Sequence, residues 1–149
     1  MEADVQITRQ ADYAVRAVLY LAQLGPGGQA STAQIARAQN IPLTFLAKIV
    51  SQLAASGIVR ATRGARGGVA LARGADAISL LEIVEAIDGP VALNECVSDP
   101  SNCPLGDTCA VRPVWCEAQS QLVAKLEQTK FGSLVKNNHR ERAITLVTS

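Results

Sequence analysis

Apolar residues recur at helical spacing from Asp12 to Leu24, where Val15, Val18, Leu19 and Ala22 share one face and Gly25-Pro26-Gly27-Gly28 ends the run. A short second helix is predicted next. Ser31 stands three residues before Gln34, the spacing of a reciprocal cap, and Ile35 and Ala38 supply the inner face. Asn40 makes a turn, and Pro42 opens a third helix where its missing N–H costs nothing. Leu46, Ile49, Val50 and Leu53 form the buried stripe of that helix, and Gly57 stops it. Alternation then replaces the helical period. Val59–Thr62 and Val69–Arg73 read as two short strands around Arg63-Gly64-Ala65-Arg66-Gly67-Gly68, whose glycines permit a tight hairpin. A fourth helix starts at Ser79, boxed by Glu82, with Leu80, Ile83, Val84 and Ile87 inside and Gly89-Pro90 at its end. Residues 91–110 form a loop rich in Asn, Asp, Pro, Gly and Cys, and a loop this long in a compact domain usually carries function. A long helix follows, with Pro113 in its first turn. Val111, Trp115, Ala118, Leu122, Leu126 and Thr129 make a narrow seam suited to another long helix.

Helix, helix, turn, helix, hairpin is the order of a winged helix-turn-helix. The predicted fold is therefore mainly α: a winged helix-turn-helix DNA-binding region plus a long dimerisation helix. The expected division is 1–78 for DNA binding, 79–110 for a linking helix and cysteine loop, 111–135 for the dimerisation helix and 136–149 for a tail. A length of 149 residues fits about one domain, and 48% apolar with only 3% aromatic content points to a core of Leu, Ile, Val and Ala. No run of eighteen apolar residues appears, and Asp4, Arg9, Asp12 and Arg16 interrupt the first twenty. A membrane span or secretory signal is not expected, so the chain reads as cytoplasmic.

The net charge of +1 hides a split: residues 1–75 carry +5 and residues 76–149 carry −4. One basic half is the pattern of a protein that faces nucleic acid on one side. The third helix fits the major groove in size, and its first residues would approach base edges. Thr44, Lys48, Ser51 and Gln52 lie opposite its buried stripe, either as base and phosphate contacts or as an ordinary solvated face. Phe45 reads equally as a contact to a thymine methyl and as a core residue. Arg63 and Arg66 sit at the hairpin tip, where a wing would insert them into the minor groove. Ser31 and Thr32, at a helix start, could hold a phosphate.

All four cysteines, Cys96, Cys103, Cys109 and Cys116, fall within 21 residues. Clustering without a secretory signal favours metal or redox chemistry over structural disulfides. Gaps of six and five residues between the first three are too wide for a zinc ribbon or finger, and no CxxC motif is present. Soft thiolates on a wide loop suit an iron–sulphur cluster; free thiols in a loop, or the disulfides of a redox sensor, stay open. Helical spacing would put Cys116 about 10 Å beyond Cys109, so it reads as a small buried hydrophobe. Paired acid/base residues and a Gly-rich nucleotide loop are both missing, and enzymatic activity is not expected.

The chain resembles the Rrf-two family of winged-helix transcription regulators, whose branches respond to iron–sulphur assembly, nitric oxide or iron. The likeness covers roughly residues 5–135 and rests on Ile7-Thr8, Asp12-Tyr13-Ala14-Val15 and Ile41-Pro42-Leu43-Thr44-Phe45-Leu46. It continues through Thr62–Gly68 in the wing, Ile83–Gly89, the three-cysteine loop and Cys109-Ala110-Val111-Arg112-Pro113-Val114-Trp115. The resemblance implies a homodimer with crossed long helices, reading a pseudo-palindromic operator in double-stranded DNA. It also implies a cluster on Cys96, Cys103 and Cys109, with 4Fe–4S favoured over 2Fe–2S. One branch places a histidine three residues after the third cysteine; here that residue is Arg112, and His139 reads as a surface residue of the tail. Asp12 falls where nitric-oxide-sensing members place an aspartate that reaches the other subunit's cluster, although an acid there also suits the helix dipole. The first cysteine gap departs from the five-residue gap of several such members. The implied function is a cluster-dependent regulator, most simply a repressor, sensing nitric oxide, iron or redox state. The alternative is a cluster-free regulator sensing a small molecule or thiol oxidation.

Overall fold

The computed structural model describes residues 7–65, 67–93 and 110–136. Among the described residues these named elements follow one another: α1 (Arg9–Gln23), β1 (Gln29–Ala30), α2 (Thr32–Gln39), α3 (Leu43–Ala55), β2 (Val59–Thr62), β3 (Gly68–Leu71), α4 (Leu80–Asp88) and α5 (Arg112–Gln128). The strands form one antiparallel sheet in the order β1-β3-β2, with Gln29 and Arg60 both opposite Ala70. No helix among the described residues is long and apolar enough to cross a membrane.

Local chemistry sets the helix starts. The Thr8 hydroxyl accepts from the Ala11 N–H at 3.1 Å and donates to the Asp88 carboxylate, so one side chain caps α1 and ties it to the end of α4. Ser31 with Gln34, and Ser79 with Glu82, form reciprocal caps on α2 and α4. Burial alone would raise the Glu82 carboxyl. The Ser79 N–H, the hydrogen bond and charge of Arg73 and the charge of Lys130 outweigh it and hold the group below its ordinary value. Gly57 and Gly89 end α3 and α4 at φ of +75° and +83°, a region that disfavours residues with a Cβ.

The core gathers Ala14, Ala17, Val18 and Leu21 of α1, Ile35 of α2, Leu46, Ile49 and Leu53 of α3, Val69 of β3 and Ile83 of α4. Three features differ from the sequence expectation. β1 pairs across forty residues with β3, and its two residues carry no periodic signal of their own. The long helix ends at Gln128. Thr129 is extended, Lys130 bridges to Ser79, and a further helical segment over 131–136 brings Phe131, fully buried, into the core. The Phe131 N–H donates to the Ile78 carbonyl at 3.1 Å, and the Leu80 N–H to that of Thr129 at 2.8 Å, fixing the far end of α5 to the start of α4.

Candidate nucleic-acid interface and cysteine segment

The apolar stripe of α3 anchors the helix, with Leu46, Ile49, Val50 and Leu53 all buried. Its opposite face presents Thr44, Phe45, Lys48 and Ser51 to solvent. Pro42 precedes the helix without a side-chain cap, so the first-turn N–H groups stay open to an outside acceptor. Phe45 is 46% exposed, which decides against a core role. Its ring leans on Tyr13 of α1 at 6.5 Å between centroids. Ser31 is exposed and Thr32 half-buried at the start of α2; the Ser31 oxygen already accepts from the Gln34 N–H at 3.1 Å.

The wing joins β2 to β3. Gly64 adopts φ +110°, and the Gly67 N–H closes the turn on the Gly64 carbonyl at 2.9 Å. A Cβ at Gly67 would lie 2.0 Å from the Thr62 carbonyl oxygen, so the return of the chain requires glycine there. Arg63 is exposed at the tip and has no ion-pair or hydrogen-bond partner among the described residues. Arg66 lies outside the described residues.

Asp12 stands in the first turn of α1, its side chain 58% exposed, and pairs with Arg16 one turn on at 3.1 Å. Arg16 has two further contacts. Its guanidinium covers the Tyr13 ring at 4.9 Å and donates to the Gln39 carbonyl at 3.1 Å, at the end of α2. A chain of contacts thus runs from Asp12 through Arg16 and Tyr13 to Phe45 on the groove-facing helix. The sequence marks Tyr13 only as part of a family motif and Arg16 only as a charge, with no role at the site for either. The i, i+4 spacing of Asp12 and Arg16 was the available signal.

Cys96, Cys103, Cys109 and His139 lie outside the described residues. The approach to the cysteine segment is defined: Gln119 of α5 accepts from the Leu93 N–H at 2.8 Å and donates to the Val91 carbonyl. Cys116 is exposed on α5, contrary to the buried position expected for it. The reason lies in the helix. α5 has no buried residue along its 17 positions, and Val111, Val114 and Trp115 are 48%, 60% and 41% exposed. Among the described residues no three His, Cys, Asp or Glu side chains converge.

A groove-sized helix with a polar outer face, braced by two others and followed by an arginine-bearing glycine hairpin, defines a winged helix-turn-helix DNA-binding regulator. The profile of the Rrf2 family, described as an iron-dependent transcriptional regulator, matches residues 7–137. The chain belongs to this family, the one its motifs resemble, and is a transcription regulator rather than an enzyme. It is 31% identical over 133 residues to the HTH-type transcriptional regulator IscR of Escherichia coli O1:K1, covering 89% of this chain and 82% of the relative. The solved structure of CymR, the global cysteine regulator of B. subtilis, superposes with a TM-score of 0.75 at 27% identity, covering 89% of this chain and 97% of that one. IscR of T. potens shares the fold at a TM-score of 0.72 and 24% identity, with 89% and 88% covered.

Proposed function

We propose that the protein is a homodimeric repressor whose grip on a pseudo-palindromic operator is set by an iron–sulphur cluster on Cys96, Cys103 and Cys109. Asp12 of the partner subunit would be the exchangeable fourth ligand. The observation that carries this reading is the Asp12–Arg16–Tyr13–Phe45 chain of contacts, which links an exposed carboxylate to the recognition helix. The donor chemistry fits: three soft thiolates suit iron and sulphide, and one hard carboxylate is the ligand most readily displaced. Bound there, the cluster would supply iron sites open to nitric oxide, oxidation or loss. The family's description as iron-dependent supports the same reading.

The protein's own residues carry the response. An Asp12 carboxylate that held iron would share its charge between the metal and Arg16, so the two partners would compete for it. With Asp12 engaged across the interface, the pair with Arg16 would weaken and Arg16 would rest more on the Gln39 carbonyl and the Tyr13 ring, which hold the end of α2 against α1. With Asp12 free, the carboxylate draws Arg16 back along α1. Either state resets the support beneath Phe45, and with it the tilt of α3 in the groove. The dimer itself is supported by α5, which has no fully buried residue and leaves Val111, Val114 and Trp115 at its start exposed among the described residues. The cleft between α1, α4 and α5, lined by Val15, Leu80, Val84 and Leu126 with Asp12 at its edge, continues that apolar surface.

Anaerobic purification with iron, sulphide and zinc analysis tests the cofactor directly. Operator affinity of the cluster-loaded, cluster-free and nitric-oxide-treated protein at fixed salt tests the switch, and equal values in all three would end it. Asp12→Ala is expected to leave the cluster in place but shorten its lifetime in air; an unchanged decay of the visible absorbance would remove Asp12 from the ligand set. Arg63→Ala is expected to weaken operator binding by about 1–3 kcal/mol without bleaching the protein. Mobility-shift titration beside the visible spectrum separates the two effects.

A second reading has its own support. CymR of B. subtilis is a global cysteine regulator, and the CymR of Staphylococcus aureus, 25% identical, has been solved in an oxidized form. A cluster-free regulator that answers to a small molecule or to thiol oxidation would be colourless when purified without oxygen.

A further inference from the structure

A cavity of about 750 Å³ opens beside the wing sheet, between the end of α1 and the segment that follows α5. Its floor follows from strand alternation. β3 turns Val69 and Leu71 toward the core cluster and leaves Gly68, Ala70 and Ala72 outward, with the strand pairing extended by the Ala72 N–H to the Ile58 carbonyl at 2.9 Å. Ala70 lies opposite Gln29 on one side and Arg60 on the other. With strands roughly 4.8 Å apart, two long polar side chains stand about 10 Å from each other across a methyl group. The Gly25–Gly28 loop forms one wall, and the helical segment carrying Val135 and Lys136 forms the opposite one. Added Cβ atoms at Gly25, Gly27 and Gly74 would meet nothing within 4 Å, so the rim is open.

The charges around this cavity are unequal. Arg60, Arg73 and Lys136 face a single acid, Asp76. Arg73 is spent on Glu82 at 2.7 Å and on the Ala77 carbonyl at 3.1 Å. Asp76 packs against Gly132, where an added Cβ would lie 1.7 Å from its carboxylate oxygen. Arg60 and Lys136 have no partner among the described residues. An apolar floor with a few convergent polar groups, in a volume within the roughly 300–1,000 Å³ range of small-molecule sites, is the general form of a ligand pocket.

We propose that this cavity is a second binding site, separate from the cysteine segment, for a small amphipathic anion. Its apolar body rests on Ala70 and Ala72, and its carboxylate, sulfonate or phosphate meets Arg60. The site touches both the wing strands and the segment that follows α5, so an occupant bears on the hairpin and on the long helix together. The proposal does not require the cluster, and it can fail or stand without it.

The test uses 8-anilinonaphthalene-1-sulfonate as the probe, titrated by fluorescence against the intact protein. Saturable binding of one probe per chain is expected. Ala70→Phe fills the floor from an outward-facing position, and Arg60→Glu reverses the anchoring charge at an exposed one. Each is expected to weaken probe binding by about tenfold or more, whereas Arg60→Lys keeps most of it. Arg37→Ala, an exposed cation on α2, should leave the titration unchanged, and circular dichroism verifies the fold of each variant. Unchanged affinity in either Ala70→Phe or Arg60→Glu, with the fold intact, overturns the proposal, as does a titration that never saturates.

Discussion

In the proposed homodimer, replacing Trp115 by Glu is expected to separate the subunits and to lower operator affinity by roughly a hundredfold or more. The size of the effect follows from the exposed apolar start of α5. Ala118, Leu122 and Leu126 of the seam are half-buried, but at its start Val111, Val114 and Trp115 stay exposed, and Trp115, the largest side chain there, is 41% exposed. Large aromatic side chains at the centre of an apolar patch dominate association energies, and a buried unpaired carboxylate in their place is strongly unfavourable. The pseudo-palindromic operator proposed above would then supply the amplification. Two recognition helices on one rigid dimer bind their half-sites together, while a monomer must bind each half-site alone. Sedimentation velocity and mobility-shift titration read the two consequences separately. The winged helix-turn-helix core should stay folded, because its buried residues come from α1 to α4, the sheet and Phe131. A Trp115→Glu protein that still sediments as a dimer would move the subunit interface off α5.

Cys103→Ser is expected to reduce bound iron and sulphide to background, while Cys116→Ser leaves both unchanged. Serine is nearly isosteric with cysteine, but its oxygen is hard and remains protonated at neutral pH, so it replaces a thiolate poorly on iron. Cys103 is the middle of the three clustered donors, and removing it leaves two thiolates thirteen residues apart. Cys116 is exposed on α5, seven residues beyond Cys109, and this sets it apart from the donor group. Iron retained in Cys103→Ser, or lost from Cys116→Ser, would require a different ligand set.

The parts legible in the sequence were those fixed by local chemistry. Ser31 with Gln34 and Ser79 with Glu82 form the caps their spacing announces, because a capping box involves only four consecutive residues. The α3 stripe was readable for the same reason, since Leu46, Ile49, Val50 and Leu53 follow a 3.6-residue period. What escaped depends on distant partners. β1 exists through β3, and the burial of Phe131 depends on Lys130 meeting Ser79. Arg16 was half visible: its spacing from Asp12 is local, but the Gln39 carbonyl that gives the contact its reach lies 23 residues away. Cys116 was misread because periodicity describes a helix face without saying whether the same chain covers it. The donor set was legible as chemistry, three thiolates within fourteen residues, and not as geometry.

The Gln119 side chain, gripping Val91 and Leu93 by one acceptor and one donor, carries no charge in either role. Such an amide clasp is indifferent to protonation and only weakly sensitive to dissolved ions, unlike the lysines and arginines that meet phosphate. Raising the ionic strength should therefore loosen the hold on DNA while the root of the cysteine segment stays in register with the long helix. The two halves of the molecule are fastened by different kinds of force, and salt separates them.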